Sequence, residues 1–438
     1  MGLLTVSKSD HIKSTELTYL MPGAQTITVL SDLIIERAEG SELWDINGKR
    51  YIDFFSGVGV CSIGHNNPHF VDKVSTQLRR NIVGSFFSQV RAEYLQLLAK
   101  QLPPTLNKIQ FYTTGSEAVE AALKLAKAVT GKFEVLSFWG GFHGKTLGSL
   151  SLHGGSRKSG FGPLVPGTHQ APYAYCYRCP IKLDYPTCNL KCVGLINEHL
   201  ENNSCGSLAA IIVEPVQGTN GNVVPPIEFL QEVAKVAKEN QALLIFDEVI
   251  TGFGRTGKMF GFENIKGVVP DILILGKGMA SGVPVSAIVY KESLLRDNAY
   301  SQLSAAASTF GGNPLSCSAA LATLEVILQD RLLNNVRHLE TIFHERSRLW
   351  PTKYPFVGKV HVCGLMIGIE LVKNRISKDF LDQDTSRTVF SRLLEKGLLS
   401  MSYEPKIRFY PALSITPELF EEALDIIESV FDELVSEV

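Results

Sequence analysis

The sequence predicts an α/β protein: a large domain built on a mainly parallel sheet, joined to a smaller α+β domain. Three observations carry that expectation. Short, continuous apolar runs recur between residues 108 and 290, and such runs mark strands buried on both faces. Segments with helical spacing of apolar residues alternate with them, the pattern of crossover connections in a parallel sheet. After about residue 330 the character shifts to strand-like pieces and one long amphipathic helix.

The elements follow in order. LWDI and RYIDF flank Asn47-Gly48-Lys49, and Asn-Gly favours the tight turn of a β-hairpin. IQFYT (109–113) reads as a strand, and SEAVEAALKLAKAV (116–129), rich in Ala, Leu and Lys, reads as a helix. FEVLSF (133–138) and LAAIIVE (208–214) are strands. Pro225-Pro226 opens a helix whose apolar side is Leu230, Val233, Ala234 and Ala237. ALLIFD (242–247), DILILG (271–276) and SAIVY (286–290) are further strands. VCGLMIGIELV, LLSMSY and KIRFYPAL are strand-like, and the final segment carries the stripe Phe420, Leu424, Ile427, Phe431, Leu434. We expect residues 1–60 and 331–438 to share the small domain and residues 61–330 to form the large one.

Composition narrows the function. The 438 residues carry 42 Lys+Arg against 44 Asp+Glu, a net charge of −2. That balance argues against a basic nucleic-acid binder and against a polybasic membrane-surface protein. No apolar run approaches the ~18 residues of a spanning helix, and the first residues lack a secretory apolar stretch. The expectation is a cytoplasmic protein that acts on small molecules.

The stretch LLIFDEVITGFGRTGKM (243–259) carries partial signatures of two nucleotide-binding motifs. Gly252 to Gly257 fits G-x-G-x-x-G, but a dinucleotide fingerprint needs its glycines directly after the strand and a helix behind them. Here Asp247 and Glu248 end the strand, and MFGFENIKGVVPD has no helical stripe. Gly252 to Lys258 fits most of a phosphate loop, but Met259 stands where magnesium needs Ser or Thr.

A pyridoxal 5'-phosphate site fits better. That chemistry needs a Schiff-base lysine with a lowered amine pKa. It needs a carboxylate for the pyridine nitrogen, so that the ring serves as an electron sink. It also needs backbone donors for the phosphate and flat packing on both ring faces. Lys277 follows DILILG between Gly276 and Gly278. Asp247 ends ALLIFD, so both groups reach the carboxyl edge of a parallel sheet. Thr114-Gly115-Ser116 opens the Ala-rich helix, whose free N–H groups and dipole suit a phosphate. Phe142 in GGFHG offers one aromatic face and Val249 the other. Singly, each feature has a plainer reading: a surface lysine, an N-cap serine, a core aromatic, an aspartate closing a turn. Their joint order along one α/β chain favours the cofactor.

These segments resemble the class III, ornithine/4-aminobutyrate-type aminotransferases of fold type I, from about residue 25 to the end. The motifs that carry the resemblance read TTGSEAVEAALKLA, GGFHGKTLGSLSL, EPVQG, IFDEVITGFGRTGKM, PDILILGKGMASGVPVSA, STFGGNPLSCSAALATLEVI and IRFYPAL. The resemblance implies a seven-stranded-type sheet and an exchange between an amino donor and an oxo-acid acceptor. It implies that Lys277 is both the Schiff-base lysine and the proton-transfer base, and that Asp247 pairs the pyridine N–H. Gly115 and Ser116 hold phosphate, Phe142 stacks on the ring beside His143, and Val249 packs the opposite face. Thr309 reaches the phosphate of a neighbouring subunit, which makes a homodimer with shared active sites. Arg408 binds a substrate carboxylate, with Glu214 as its gating partner. The chain departs from the family pattern at Ile250, where many members have Gln, and at Arg408-Phe-Tyr-Pro-Ala-Leu, where RFxPPL is usual. Racemases, epimerases and aminomutases of the same family use the same residues. A degenerate, cofactor-free homologue is the non-enzymatic alternative, against which intact Lys277 and Asp247 speak.

One feature stands apart from that resemblance. Cys176, Cys179, Cys188 and Cys192 lie in CYRCPIKLDYPTCNLKC. Two close pairs match the spacing of structural zinc ligands. Iron–sulfur ligation, plain thiols and disulfides are the other readings, the last disfavoured inside a cell.

Overall fold

A computed structural model describes residues 8–20 and 25–435. Its largest sheet has seven strands in the spatial order Lys108–Tyr112, Ser286–Tyr290, Ile272–Leu275, Leu243–Glu248, Leu208–Val213, Glu134–Phe138, Thr168–Ala171. All run parallel except Ser286–Tyr290, which is antiparallel to both neighbours. Every residue of Leu208–Val213 and of Ile272–Leu275 is buried, as the unbroken apolar runs require. The helices Gly115–Thr130 and Ile227–Glu239 cover the sheet, and their buried residues include Val119, Ala122 and Leu125 on the first and Leu230, Val233 and Ala237 on the second.

Two smaller sheets complete the fold. In one, Ile35–Glu39, Glu42–Asp45 and Arg50–Asp53 run antiparallel in sequence, and the short strand Leu398–Leu399 joins parallel to Arg50–Asp53. Residues from both chain ends therefore build one sheet. The other is antiparallel, with Met366–Leu371 between Val357–Cys363 and Lys406–Phe409. The closing helix Pro417–Val435 buries all five residues of the expected stripe.

The structure corrects several sequence readings. VCGLMIGIELV is not one strand but the turn of a hairpin, broken at Gly364 (φ +58°), where a Cβ would lie 2.5 Å from the Arg255 carbonyl oxygen. Only glycine accepts that approach. LLSMSY keeps just two strand residues. The strand Thr168–Ala171 was not expected, because THQA has neither β-branched bulk beyond Thr168 nor alternation. Among the described residues, no helix is long and apolar enough to cross a membrane.

Candidate active site

The register of two adjacent parallel strands sets the site. Asp247 pairs with Ile274 and Glu248 with Leu275, so Lys277, two residues past the strand end, emerges beside Asp247 at the carboxyl edge. Lys277 sits in a left-handed conformation, φ +42°, a cost that a non-glycine residue bears only where its surroundings enforce it. Both side chains line a cavity of about 300 Å³ together with Phe142, Val249, Glu214 and Ile250.

Electrostatics divide the labour inside that cavity. Burial pulls the Lys277 amine down to about 8, although Asp247 and Glu214 pull it the other way. A tenth of the amine is thereby neutral near pH 7, as a nucleophile requires. Asp247 Oδ2 lies 2.8 Å from His143 Nδ1, and Oδ1 accepts the Val249 N–H at 3.1 Å. Burial opposes charge on His143, yet the bond and charge of Asp247 win and raise its pKa. The 2.8 Å contact with His143 orients the Asp247 carboxyl group. Burial lifts Glu214 to about 7. Its two oxygens accept N–H groups from Phe142 (2.8 Å) and Gly218 (3.2 Å).

The wall opposite Lys277 is the start of helix Gly115–Thr130. Thr114 and Glu117 form a reciprocal capping box. It occupies the N–H groups of Thr113, Thr114 and Glu117, while those of Gly115 and Ser116 donate to no group of the described chain. Two free donors at the positive end of a 16-residue helix form an anion cradle. A Cβ on Gly115 would come within 3.3 Å of Val249, so the glycine lets the cradle close on the ring-packing residue. These residues fit pyridoxal phosphate.

Not every expected residue joins this group. Arg408 is buried on Lys406–Phe409 but pairs with no carboxylate among the described residues. Its expected partner Glu214 is held by backbone amides instead, so the gating ion pair is not formed here. Thr309 lies outside the cavity of its own chain, on a separate surface pocket with Phe310, Glu117 and Glu120. Sequence reasoning missed His153, whose Nε2 accepts the His143 N–H at 2.9 Å and whose ring lies 5.0 Å from Phe142. Burial and then the charge of His143 pull it down to about 3, which keeps it a neutral acceptor. It also missed Arg157, whose guanidinium sits 5.6 Å from the Phe142 ring. No spacing in SLHGGSRKSG marks either residue.

The glycine-rich stretch has a structural use. Gly261–Asn264 forms only a 3₁₀ turn, so the helix that a dinucleotide fingerprint needs is missing. Buried Arg255 donates instead to the carbonyls of Leu365 and Pro411, tying this loop to the C-terminal segments.

A family model described as aminotransferase class III matches residues 24–431. The chain belongs to the class III aminotransferases. A probable 4-aminobutyrate aminotransferase from Bacillus subtilis is 32% identical to this aminotransferase, over 90% of this chain and 91% of its own. A leucine/methionine racemase from Thermococcus litoralis is 34% identical, over 93% and 92%. The solved structure of a PLP-bound amine transaminase from an uncultivated Pseudomonas species superposes with a TM-score of 0.88 at 28% identity, covering 95% of this aminotransferase and 98% of that chain. This aminotransferase is therefore an enzyme whose family works with pyridoxal phosphate, an amino donor and an oxo acid.

The cysteine segment is arranged differently. All four thiols are free and line one cavity of about 10 Å³ with Tyr173 and Ile181. Among the described residues, no group of three or more His, Cys, Asp or Glu is placed to hold a metal ion, so the zinc expectation finds no support. Burial pushes Cys176 and Cys192 up to about 11, whereas zinc takes thiolates. What anchors the segment is Arg178, whose Nε donates to Glu370 Oε2 at 2.6 Å. Glu370 also accepts from Tyr175 and lies 2.8 Å from His361 Nε2.

Proposed function

We propose that this aminotransferase holds pyridoxal phosphate between Phe142 and Val249, its phosphate on the Gly115 and Ser116 amides, and uses Lys277 and Asp247 as its catalytic residues. One observation carries the reading: a part-buried lysine with a lowered pKa and an aspartate held by His143 line the same cavity. When bound, the cofactor supplies an electron sink that weakens the Cα–H bond of an attached amine.

The residues then have distinct tasks. Lys277 would hold the cofactor through its amine and, when free of it, would carry the proton from the donor's α-carbon. Asp247, oriented by His143, would pair the pyridine nitrogen and keep it protonated. Ile250 cannot donate a hydrogen bond and would offer the ring hydroxyl no partner. Arg408, a buried cation without a carboxylate partner, receives the substrate carboxylate. Glu214 lines the cavity beside Lys277 and Asp247, where burial lifts it to about 7.

The assembly we propose is a homodimer in which Thr309 serves the partner's phosphate. Support comes from a band of exposed apolar side chains beside Thr309. Phe87 and Leu303 are fully exposed, Phe86 and Phe310 are 69% exposed, and Ile82 and Val83 are half exposed. Exposed apolar side chains that cluster mark interaction surfaces. We propose domain limits of 1–60, 61–330 and 331–438; the seven-stranded sheet falls within the second range, and the two smaller sheets draw their strands from the first and third. A cytoplasmic setting is in keeping with eight unpaired thiols.

The substrate class is tested by a panel of amino acids, ω-amino acids and amines offered with pyruvate or 2-oxoglutarate. Transfer to at least one oxo acid is expected. Inversion of a chiral amino acid with no oxo acid present would replace transamination by racemisation, and the absence of any bound cofactor in purified protein would overturn the whole reading.

A further inference from the structure

Outside the cofactor cavity the chain builds a second constellation of reactive side chains. Cys61 Sγ lies 3.6 Å from His65 Nδ1, and His65 Nε2 lies 2.9 Å from Asp53 Oδ2. Asp53 is buried, and its other oxygen is fixed by the N–H groups of Phe55 (2.9 Å) and Ser56 (2.7 Å). His65 is itself pinned by paired backbone bonds with Gly40. A thiol, an imidazole and an orienting carboxylate in this order are the parts of an activated nucleophile. Ser281 adds a hydroxyl 3.9 Å from the sulfur. Two charged groups face the sulfur from the elements packed around it: the Asp53–His65 pair and the buried guanidinium of Arg255. Burial opposes charge on His65, but its bonds to Asp53 and Cys61 raise it to about 10, so a proton given up by the thiol rests on the imidazole. None of the transamination tasks uses Cys61, His65 or Asp53.

We propose that Cys61 is a peroxide-reactive thiol, activated by His65 and Asp53. The sulfur, its proton passed to His65, attacks one oxygen of hydrogen peroxide. An S–O bond forms as the O–O bond breaks, the sulfur is oxidised to a sulfenic acid, and the peroxide is reduced. The leaving hydroxide takes the proton from His65 and departs as water. Cys61 is 8% exposed, which admits a reagent of this size and excludes bulky electrophiles.

The position couples this chemistry to the active site. Ser281 Oγ, which contacts the sulfur, also accepts the Ile63 N–H at 3.3 Å. Ser281 lies four residues past Lys277, and a Cβ on Gly278 would lie 2.4 Å from Ser62 Oγ. An oxygen added at Cys61 meets Ser281, which belongs to the loop that carries Lys277, so oxidation lowers turnover; this consequence rests on the role assigned to Lys277, whereas the sulfur chemistry does not.

The experiment treats the cofactor-loaded enzyme with sub-millimolar hydrogen peroxide and a sulfenic-acid-trapping dione, and reads each cysteine peptide by mass spectrometry. The exposed Cys205 is the internal reference. We expect Cys61 to be trapped at least tenfold faster than Cys205, and His65→Gln to abolish that advantage. Turnover should fall in step with Cys61 trapping, return with a thiol reductant, and resist peroxide in Cys61→Ser. Trapping ordered by exposure, with Cys205 ahead, overturns the proposal without any variant having to fold. So does a Cys61 rate unchanged in His65→Gln. If no transamination is found, the trapping order still decides the chemistry at Cys61.

Discussion

The cavity around Lys277 gathers ionisable side chains from distant positions and the pocket around the four clustered cysteines gathers them from one segment, and they treat charge differently. In the first, the buried groups have polar partners: Asp247 has His143, His143 has His153 behind its backbone, and Glu214 has two amides. Each group is aimed. In the second, burial outweighs the Val193 and Cys192 amides at one sulfur and the charge of Lys359 at another, and pushes the Cys176 and Cys192 thiols up. The Arg178–Glu370 pair nearby anchors the segment to a strand. The difference teaches that proximity of reactive groups is not yet a site. A site also needs the surrounding dipoles that hold those groups in their reactive state.

That contrast can be broken or sharpened in four ways, from the largest effect down. Lys277→Ala should lower kcat by about 10⁴-fold or more, since a positioned general base alone contributes about 10²–10⁴, while cofactor still binds without a covalent bond. Steady-state rates and absorbance after gel filtration check this. Glu370→Ala strands Arg178 and should destabilise the fold by about 3–5 kcal/mol, the cost of breaking a buried pair. Denaturant melts measure it, and a loss below about 1 kcal/mol would mean that the cysteine segment is held some other way.

The third test uses pH. The Lys277 amine has a native pKa of about 8 against 10.5 for an ordinary lysine. Its neutral form captures the cofactor, so the capture rate of cofactor-free protein should rise severalfold from pH 7 to 8 and level off above 9, as stopped-flow absorbance would show. The linkage has the matching sign. A depressed lysine binds fewer protons when folded, so this group's contribution to stability rises between pH 8 and 10.5. The smallest effects belong to the cysteine pocket. Cys192→Ser should cost only about 1–2 kcal/mol, for one buried hydroxyl in place of a thiol. A metal chelator should shift Tm by less than about 1 °C, and a larger fall would reinstate a bound metal.

The sequence was most legible where one physical requirement fixes residue type and position together. Lys277 between two glycines, Asp247 at a strand end and Gly115-Ser116 at a helix start each satisfy such a requirement, and the structure brings them to one cavity. The sheet was legible because strands buried on both faces leave unbroken apolar runs. His153 and Arg157 were not legible, since their positions depend on how a loop returns over Phe142 and not on any local period. The antiparallel direction of Ser286–Tyr290 was hidden too, because a buried strand has the same composition in either direction. For the cysteines, spacing along the chain stated which residues meet but not what surrounds them.

The pairing of Arg50–Asp53 with Leu398–Leu399 bears on how the molecule is made. Lys49 Nζ donates to the Glu395 carbonyl, 346 residues further on. At ordinary rates of synthesis the first strands wait on the order of tens of seconds for that partner. During the wait the edge of Arg50–Asp53 is open, with Tyr51 and Ile52 ready to pair with any passing strand. The hairpin is thus synthesised early and is among the last elements to be completed. Nascent chains that stall before residue 398 are the ones that a chaperone must shield.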